Sequence, residues 1–265
     1  MGVLTHTITS IPGLIAELLI IAAAVCCFVG LHALLQRRLR SEVLRRHNDV
    51  AGFLFSVVGV LYAVVLGFVV VVVWQKYDET VQNVQNEIDA VGNLYHSVDG
   101  FSQPARSDIR KDLMQYSKTV VLVEWPAMAR NQEVPEVADR VLEDAGYRVD
   151  TFSPANFKES SAQQASIANM QRLYDARRQR LIHSDSAVPT VLWFALIAGA
   201  LALVAFCYIF GVENRSAQLM MTAILVGLIG ILFVVIAEFS TPFSGSVMIS
   251  NDGWLFLQER IQYIR

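Results

Sequence analysis

Residues 50–74 read VAGFLFSVVGVLYAVVLGFVVVVVW, twenty-five positions without one charged side chain. A helix of that length rises far enough to cross a hydrocarbon core of roughly 30 Å. In water the run Val69–Val73 favours a strand. In lipid an isolated strand leaves its backbone N–H and C=O groups unpaired, so helix is the reading that holds. The pattern recurs elsewhere in the chain. Val188–Val212 and Ser216–Ala237 carry no charge, and before Gln36 the only formally charged side chain is Glu17. Four transmembrane helices are expected, at about Ile11–Leu35, Val50–Trp74, Val188–Phe210 and Ala217–Ala237.

The composition agrees. Apolar residues make up 54% of the 265 positions and charged residues 17%, below the roughly one quarter found in soluble domains. A net charge of −3, with no basic stretch interleaved with aromatics, excludes nucleic acid as a partner. Cys26, Cys27 and Cys207 all fall inside apolar runs, which leaves the polar part of the chain no thiol for a disulfide or a zinc site. The first run has no basic residues before it and its arginines follow it, so it reads as a retained span and not a signal peptide.

The fold class is therefore all-α: a first transmembrane hairpin (1–74), a helical soluble domain (75–187), a second hairpin (188–238) and a C-terminal tail (239–265). Val81, Val84, Ile88, Val91, Leu94 and Val98 repeat at three- and four-residue steps, so span two should continue out of the membrane as one long helix. Ser102 with Pro104 marks a helix start, and Ile109, Leu113, Tyr116 and Val120 follow at helical spacing. Pro126 should end or kink that helix. A short helix is expected near Glu136–Asp144 and a start at Ser153-Pro154, from which Phe157, Gln164, Ile167, Met170, Tyr174 and Leu181 form a stripe. With four spans, the N-terminus, the helical domain and the tail share one membrane face. Glu17 and Glu238 then lie at similar depth on that side.

Several residues invite a functional reading beside a structural one. Gly52, Ser56, Gly59, Ala63 and Gly67 fall within about 80° of one another on span two, and Val70, Trp74, Tyr77 and Ile88 extend the stripe. Such a face lets helices pack closely. Placed around a symmetry axis, it would instead line a narrow apolar pore that gates by dewetting. His47, Asn48 and Asp49 begin the span, where they cap a helix or, repeated in a ring, form a polar mouth. His47 with Asp49 lacks a third ligand for a metal. Glu17 and Glu238 are either interfacial residues or an ion-binding pair at the domain-side mouth. Asp78, Glu79, Glu87 and Asp89 outnumber Lys76 there and lean toward cations. Glu124-Trp125 reads as a buried anchor at the kink.

Arg37, Arg38, Arg40, Arg45 and Arg46 crowd the loop after span one. Short arginine-rich loops stay cytoplasmic, which puts the helical domain on the extracytoplasmic side of a bacterial plasma (inner) membrane. The same arginines suit anionic lipids. Arg172, Arg177, Arg178 and Arg180, close to span three on the other face, pull the opposite way. No Ser/His/Asp order, glycine-rich phosphate loop or paired-carboxylate spacing supports catalysis, and no cofactor is expected.

Arg46-His47-Asn48-Asp49-Val50-Ala51-Gly52, the continuation Val70-Val71-Val72-Val73-Trp74-Gln75, Glu124-Trp125 with Met128, Arg177-Arg178-Gln179-Arg180-Leu181 ahead of Pro189 and Trp193, and Pro242-Phe243-Ser244-Gly245 resemble the bestrophin-like family of bacterial membrane proteins. The resemblance covers about residues 40–250. It implies a relation to bestrophins, pentameric anion channels with two spans on either side of a helical domain that bestrophins place in the cytosol. The chain departs from true bestrophins in having no acidic calcium-binding run and no aromatic neck in span two. Together these features point to a homo-oligomeric ion channel, pentameric by the resemblance, with span two lining the pore. The alternative is a membrane sensor, scaffold or accessory subunit that binds through its helical domain.

Overall fold

The structure, a computed structural model, describes residues 2–38, 48–184, 188–210 and 214–263, with side chains in the first segment from 13 to 37. Its principal helices are α1 (Gly2–Arg38), α2 (Asn48–Ser97), α3 (Ala105–Thr119), α4 (Trp125–Ala129), α5 (Val137–Asp150), α6 (Phe157–Ile182), α7 (Thr190–Ile209), α8 (Arg215–Ser240) and α9 (Asp252–Tyr263). No strand occurs among the described residues. Four helices, α1, α2, α7 and α8, are long and apolar enough to cross a membrane. The long helix expected from the valine and leucine spacing is present: α2 runs for 50 residues without a break at Gly67 or Gly92. The chain divides into two compact units, residues 3–76 with 186–240, and residues 77–185 with 241–265.

The first unit holds α1, the apolar part of α2, α7 and α8. Tyr62, Leu66, Val69 and Val73 form the buried face of α2, at steps of four, three and four, against Leu196, Leu203 and Ile236. Gly199 is needed here. A Cβ at that position would lie 2.4 Å from the Tyr62 ring, and the ring is held by its hydroxyl, which donates to the Leu196 carbonyl at 3.0 Å. α1 meets α8 through Gly230 against Ile21 and Gly227 against Val25, small-residue contacts of the kind that let helices pack closely in lipid.

The second unit is a helical bundle around Val91, Leu94, Phe101, Ile109, Leu113, Tyr116, Leu142 and Leu173. The tail contributes Trp254, Leu257 and Ile261 of α9 to the same core. Ile88 belongs to it as well: a Cβ on Gly253 would sit 2.8 Å from its Cδ1. Tyr77 donates its hydroxyl to the Val247 carbonyl at 2.9 Å. Tyr77 and Ile88, which continue the line of the small-residue stripe on α2, therefore pack in the core of this unit.

Local sequence signals are resolved in ways that packing explains. Pro126 does not stop its helix. The backbone passes through a π-helical turn, Val120–Glu124, in which the Trp125 N–H reaches the Val120 carbonyl, and continues to Ala129; a wider turn of this kind shifts the hydrogen-bond ladder ahead of the missing proline donor. Asn156, not Ser153, caps α6: its Oδ1 accepts from the Glu159 N–H at 3.0 Å while Glu159 accepts from the Ala155 N–H at 2.7 Å, a reciprocal cap. The expected stripe on α6 is displaced. Phe157 is 89% exposed and Tyr174 40%, and the buried face is Ser166, Met170, Leu173, Arg177 and Arg180.

Candidate pore face and buried polar networks

The span-two residues singled out from sequence do not share one environment. Asn48 is the first residue of α2 and partly buried, and Asp49 is exposed in its first turn, where the helix dipole favours an anion. Gly52 faces the Phe210 ring, and Gly59 faces Leu203, with Cβ positions at 3.8 and 3.9 Å. Ser56 is exposed, and its hydroxyl donates back to the Gly52 carbonyl at 2.9 Å. Ala63 and Gly67 are exposed, and Gly67 has no side chain or other helix within 4 Å of its Cβ position. Val70 is half-buried. Trp74 meets Phe239 edge-on at 5.0 Å. Gly59, Ala63, Gly67 and Val70 come together along an apolar groove of about 460 Å³, whose other wall is Leu203 of α7 with Leu225 and Leu228 of α8. Asn48, Asp49, Gly52, Ser56 and Trp74 lie off that groove. His47, Arg40, Arg45 and Arg46 fall outside the described residues; Arg37 is exposed at the end of α1.

Glu17 and Glu238 are both partly buried. Their relative depth follows from the antiparallel register of α1 on α8, in which His32 meets Thr222, Gln36 meets Gln218 and Ile21 meets Gly230. That register runs α1 and α8 antiparallel, so Glu17 and Glu238 lie toward the same end of the pair.

The other end of these spans carries a polar network that sequence reasoning missed. His32, fully buried, meets Thr222 Oγ1 through Nδ1 at 2.8 Å and Gln36 Nε2 through Nε2 at 3.3 Å. Gln36 donates on to Gln218 at 2.8 Å. Tyr208 of α7 lies 4.6 Å from the His32 ring and donates to the Phe28 carbonyl at 2.8 Å. The available signal was two polar pairs at i, i+4 spacing, 32 with 36 and 218 with 222, inside apolar runs where lone polar groups are expensive.

A second missed network lies in the helical unit. Arg180 is fully buried and grips Glu87 of α2 with Nε at 2.6 Å and Nη2 at 3.0 Å, while Nη2 also reaches Glu124 at 2.6 Å. Arg177 binds both oxygens of Glu124 at 2.6 and 2.8 Å and Asp139 of α5 at 2.9 Å. Tyr116 of α3 donates its hydroxyl to Glu87. Glu87 and Glu124 are each 0% exposed. Burial by itself lowers the pKa of both arginines, but the surrounding carboxylates outweigh it and hold them above their ordinary range. Burial and the Glu87 charge push the Tyr116 phenol well above its ordinary 10.0. The two buried glutamates balance the two arginines in charge, and Asp139, with its side chain 46% exposed, adds a third carboxylate at the rim. The network fastens α2, α3, the π turn, α5 and α6, so Glu124 is an anchor as expected, but an ionic one. Glu87 is consequently withdrawn from the acidic set expected beside Lys76; Asp78, Glu79 and Asp89 remain exposed.

Among known proteins, the Bestrophin-like domain family matches residues 21–253. Solved structures of a bacterial Bestrophin homolog from Klebsiella pneumoniae share the fold. One single-residue variant is 13% identical with a TM-score of 0.65, over 90% of this chain and 99% of that one. Another gives 12% and 0.67, over 91% and 98%. The structure phased by Zn-SAD gives 12% and 0.64, over 89% and 97%. No curated protein matches significantly.

Proposed function

Because the chain belongs to the bestrophin-like family of membrane proteins, we propose that it forms a homo-oligomeric ion channel, a pentamer, with α2 around the axis. The observation that carries this reading is α2 itself. Its apolar part buries one narrow face within the protomer, and Val50, Phe53, Val60, Leu61 and Phe68 are 63–69% exposed, so most of its circumference is left for lipid, neighbouring copies or an axis. In this reading Asn48 and Asp49 form a polar mouth. Gly52, Ser56, Gly59, Ala63, Gly67, Val70 and Trp74 form an apolar wall that conducts when wetted. Glu17 and Glu238 hold ions toward the other end.

The membrane is the bacterial inner membrane, with the helical domain extracytoplasmic and anionic lipid gathered at Arg37, Arg38, Arg40, Arg45 and Arg46. We assign no catalytic role. Purified oligomer in planar bilayers tests conduction. Ala63→Ser should ease wetting and raise the open fraction, and Ser56→Leu should reduce current while leaving the elution volume unchanged. Silence across voltage, pH and salt from an intact oligomer would transfer the assignment to a sensor or scaffold.

A further inference from the structure

A cavity of about 630 Å³ lies on the helical unit, walled by Tyr95 of α2, one face of α3 and the last turns of α9. α3 sorts its charges between two sides. Asp108 and Asp112 turn to Arg148 of α5, at 3.4 and 2.9 Å. Arg106, Arg110, Lys111 and Lys118 line the cavity, and no carboxylate is among its walls. Arg106, Arg110 and Lys118 fall on one i, i+4 row of the helix, away from the buried Ile109, Leu113 and Tyr116.

These cations are only partly engaged. Arg106 donates Nε to the Phe101 carbonyl at 2.9 Å, which fixes the stem of its guanidinium. Arg110 lies over the Tyr95 ring, 4.3 Å from its centroid, and pairs with Asp99 through Nη2, yet its Nε is buried with no acceptor. Lys111 and Lys118 are exposed and enter no ion pair among the described residues. Like charges converging on a concave wall repel one another and raise the local concentration of anions. The volume falls within the usual range of small-molecule sites, roughly 300–1,000 Å³, and far exceeds what one monatomic anion fills. Forked guanidinium donors beside mobile ammonium groups suit phosphoryl oxygens.

We propose that this cavity binds a phosphate-bearing polyanion, supplied either as a soluble di- or triphosphate or as phospholipid headgroups. The site is separate from the conduction reading, and binding is measured without current. Titration of the intact detergent-solubilised oligomer with inorganic tripolyphosphate at low ionic strength should show saturable binding that weakens with salt. Lys111→Gln with Lys118→Gln should raise Kd by about tenfold or more. Lys158→Gln, an exposed lysine on α6, should leave it unchanged. A parallel arm measures co-purification of phosphatidylglycerol over phosphatidylcholine from equimolar mixed micelles. Lysine-dependent tripolyphosphate binding without a lysine-dependent phosphatidylglycerol preference identifies a soluble ligand, and a lysine-dependent phosphatidylglycerol preference that tripolyphosphate competes away identifies headgroups. If neither arm responds to the two lysines, in protein that elutes as wild type, the proposal is overturned.

Discussion

Replacing Arg180 with methionine removes the cation that Glu87 and Glu124 share, and both carboxylates are fully buried. Breaking one side of such a pair leaves an uncompensated charge, so Arg180→Met should cost about 3–5 kcal/mol. A lowered thermal midpoint of the solubilised protein would report it. Adding Glu87→Leu should recover much of the loss, since a buried pair replaced by apolar groups is often near neutral; the Tyr116 hydroxyl, then without its acceptor, keeps the remainder. Losses that simply add would mean the two residues are not coupled. Tyr116 makes a separate pH prediction. Its phenol titrates well above 10.0 in the folded protein and near 10.0 in the unfolded chain. Its contribution is therefore complete below pH 10 and declines as pH rises past it, when only the unfolded state releases the proton. The wild type should lose stability above pH 10 more steeply than Tyr116→Phe, by up to about 1.4 kcal/mol per pH unit. Parallel pH profiles would contradict this assignment.

At the scale of elements, α2 decides most. It presents a buried face to α7 and α8, a groove wall of small residues, and a broad apolar remainder. Gly59 sits where the first two meet, 3.9 Å from Leu203 in Cβ position. A leucine there fills the groove and presses on α7, so Gly59→Leu should lower expression or shift size-exclusion elution. Leu61 is 63% exposed on another side, and Leu61→Gly should elute as wild type. The reverse pattern would mean that assembly uses the Leu61 side.

For the whole molecule, orientation is the property with the sharpest test. The short loop after α1 is rich in arginine, and short loops govern insertion more strongly than charges in a long domain. Arg177 and Arg180, which weighed against that rule in the sequence, are neutralised inside the helical unit, so they belong less to the membrane-facing charge balance than their positions implied. A cysteine at the exposed Ser107, in a background lacking Cys26, Cys27 and Cys207, should react with an impermeant maleimide in intact cells once any outer membrane is permeabilised. Labelling confined to lysed cells would place the domain in the cytosol.

The four spans and the unbroken α2 were legible in the chain alone, because crossing lipid demands long charge-free runs and helical periodicity is a local property of ten to twenty residues. The candidate pore stripe could be traced as a row of small residues, but whether each member faced a groove, another helix or open surface depended on α7 and α8, over a hundred residues away. The buried networks were hidden for the same reason. Arg180 reads as a surface charge until Glu87, 93 positions earlier, is folded against it, and His32 finds Thr222 across 190 positions. Burying a charge or an imidazole is tolerable only with its partner in place. Sequence therefore determined the long helices and which of them are long and apolar enough to span the membrane, while α9, read only as a tail, took its helical place through packing of Trp254, Leu257 and Ile261 on the bundle core. Tertiary packing alone decided which polar side chains became interior, since that depends on distant groups converging within hydrogen-bond reach.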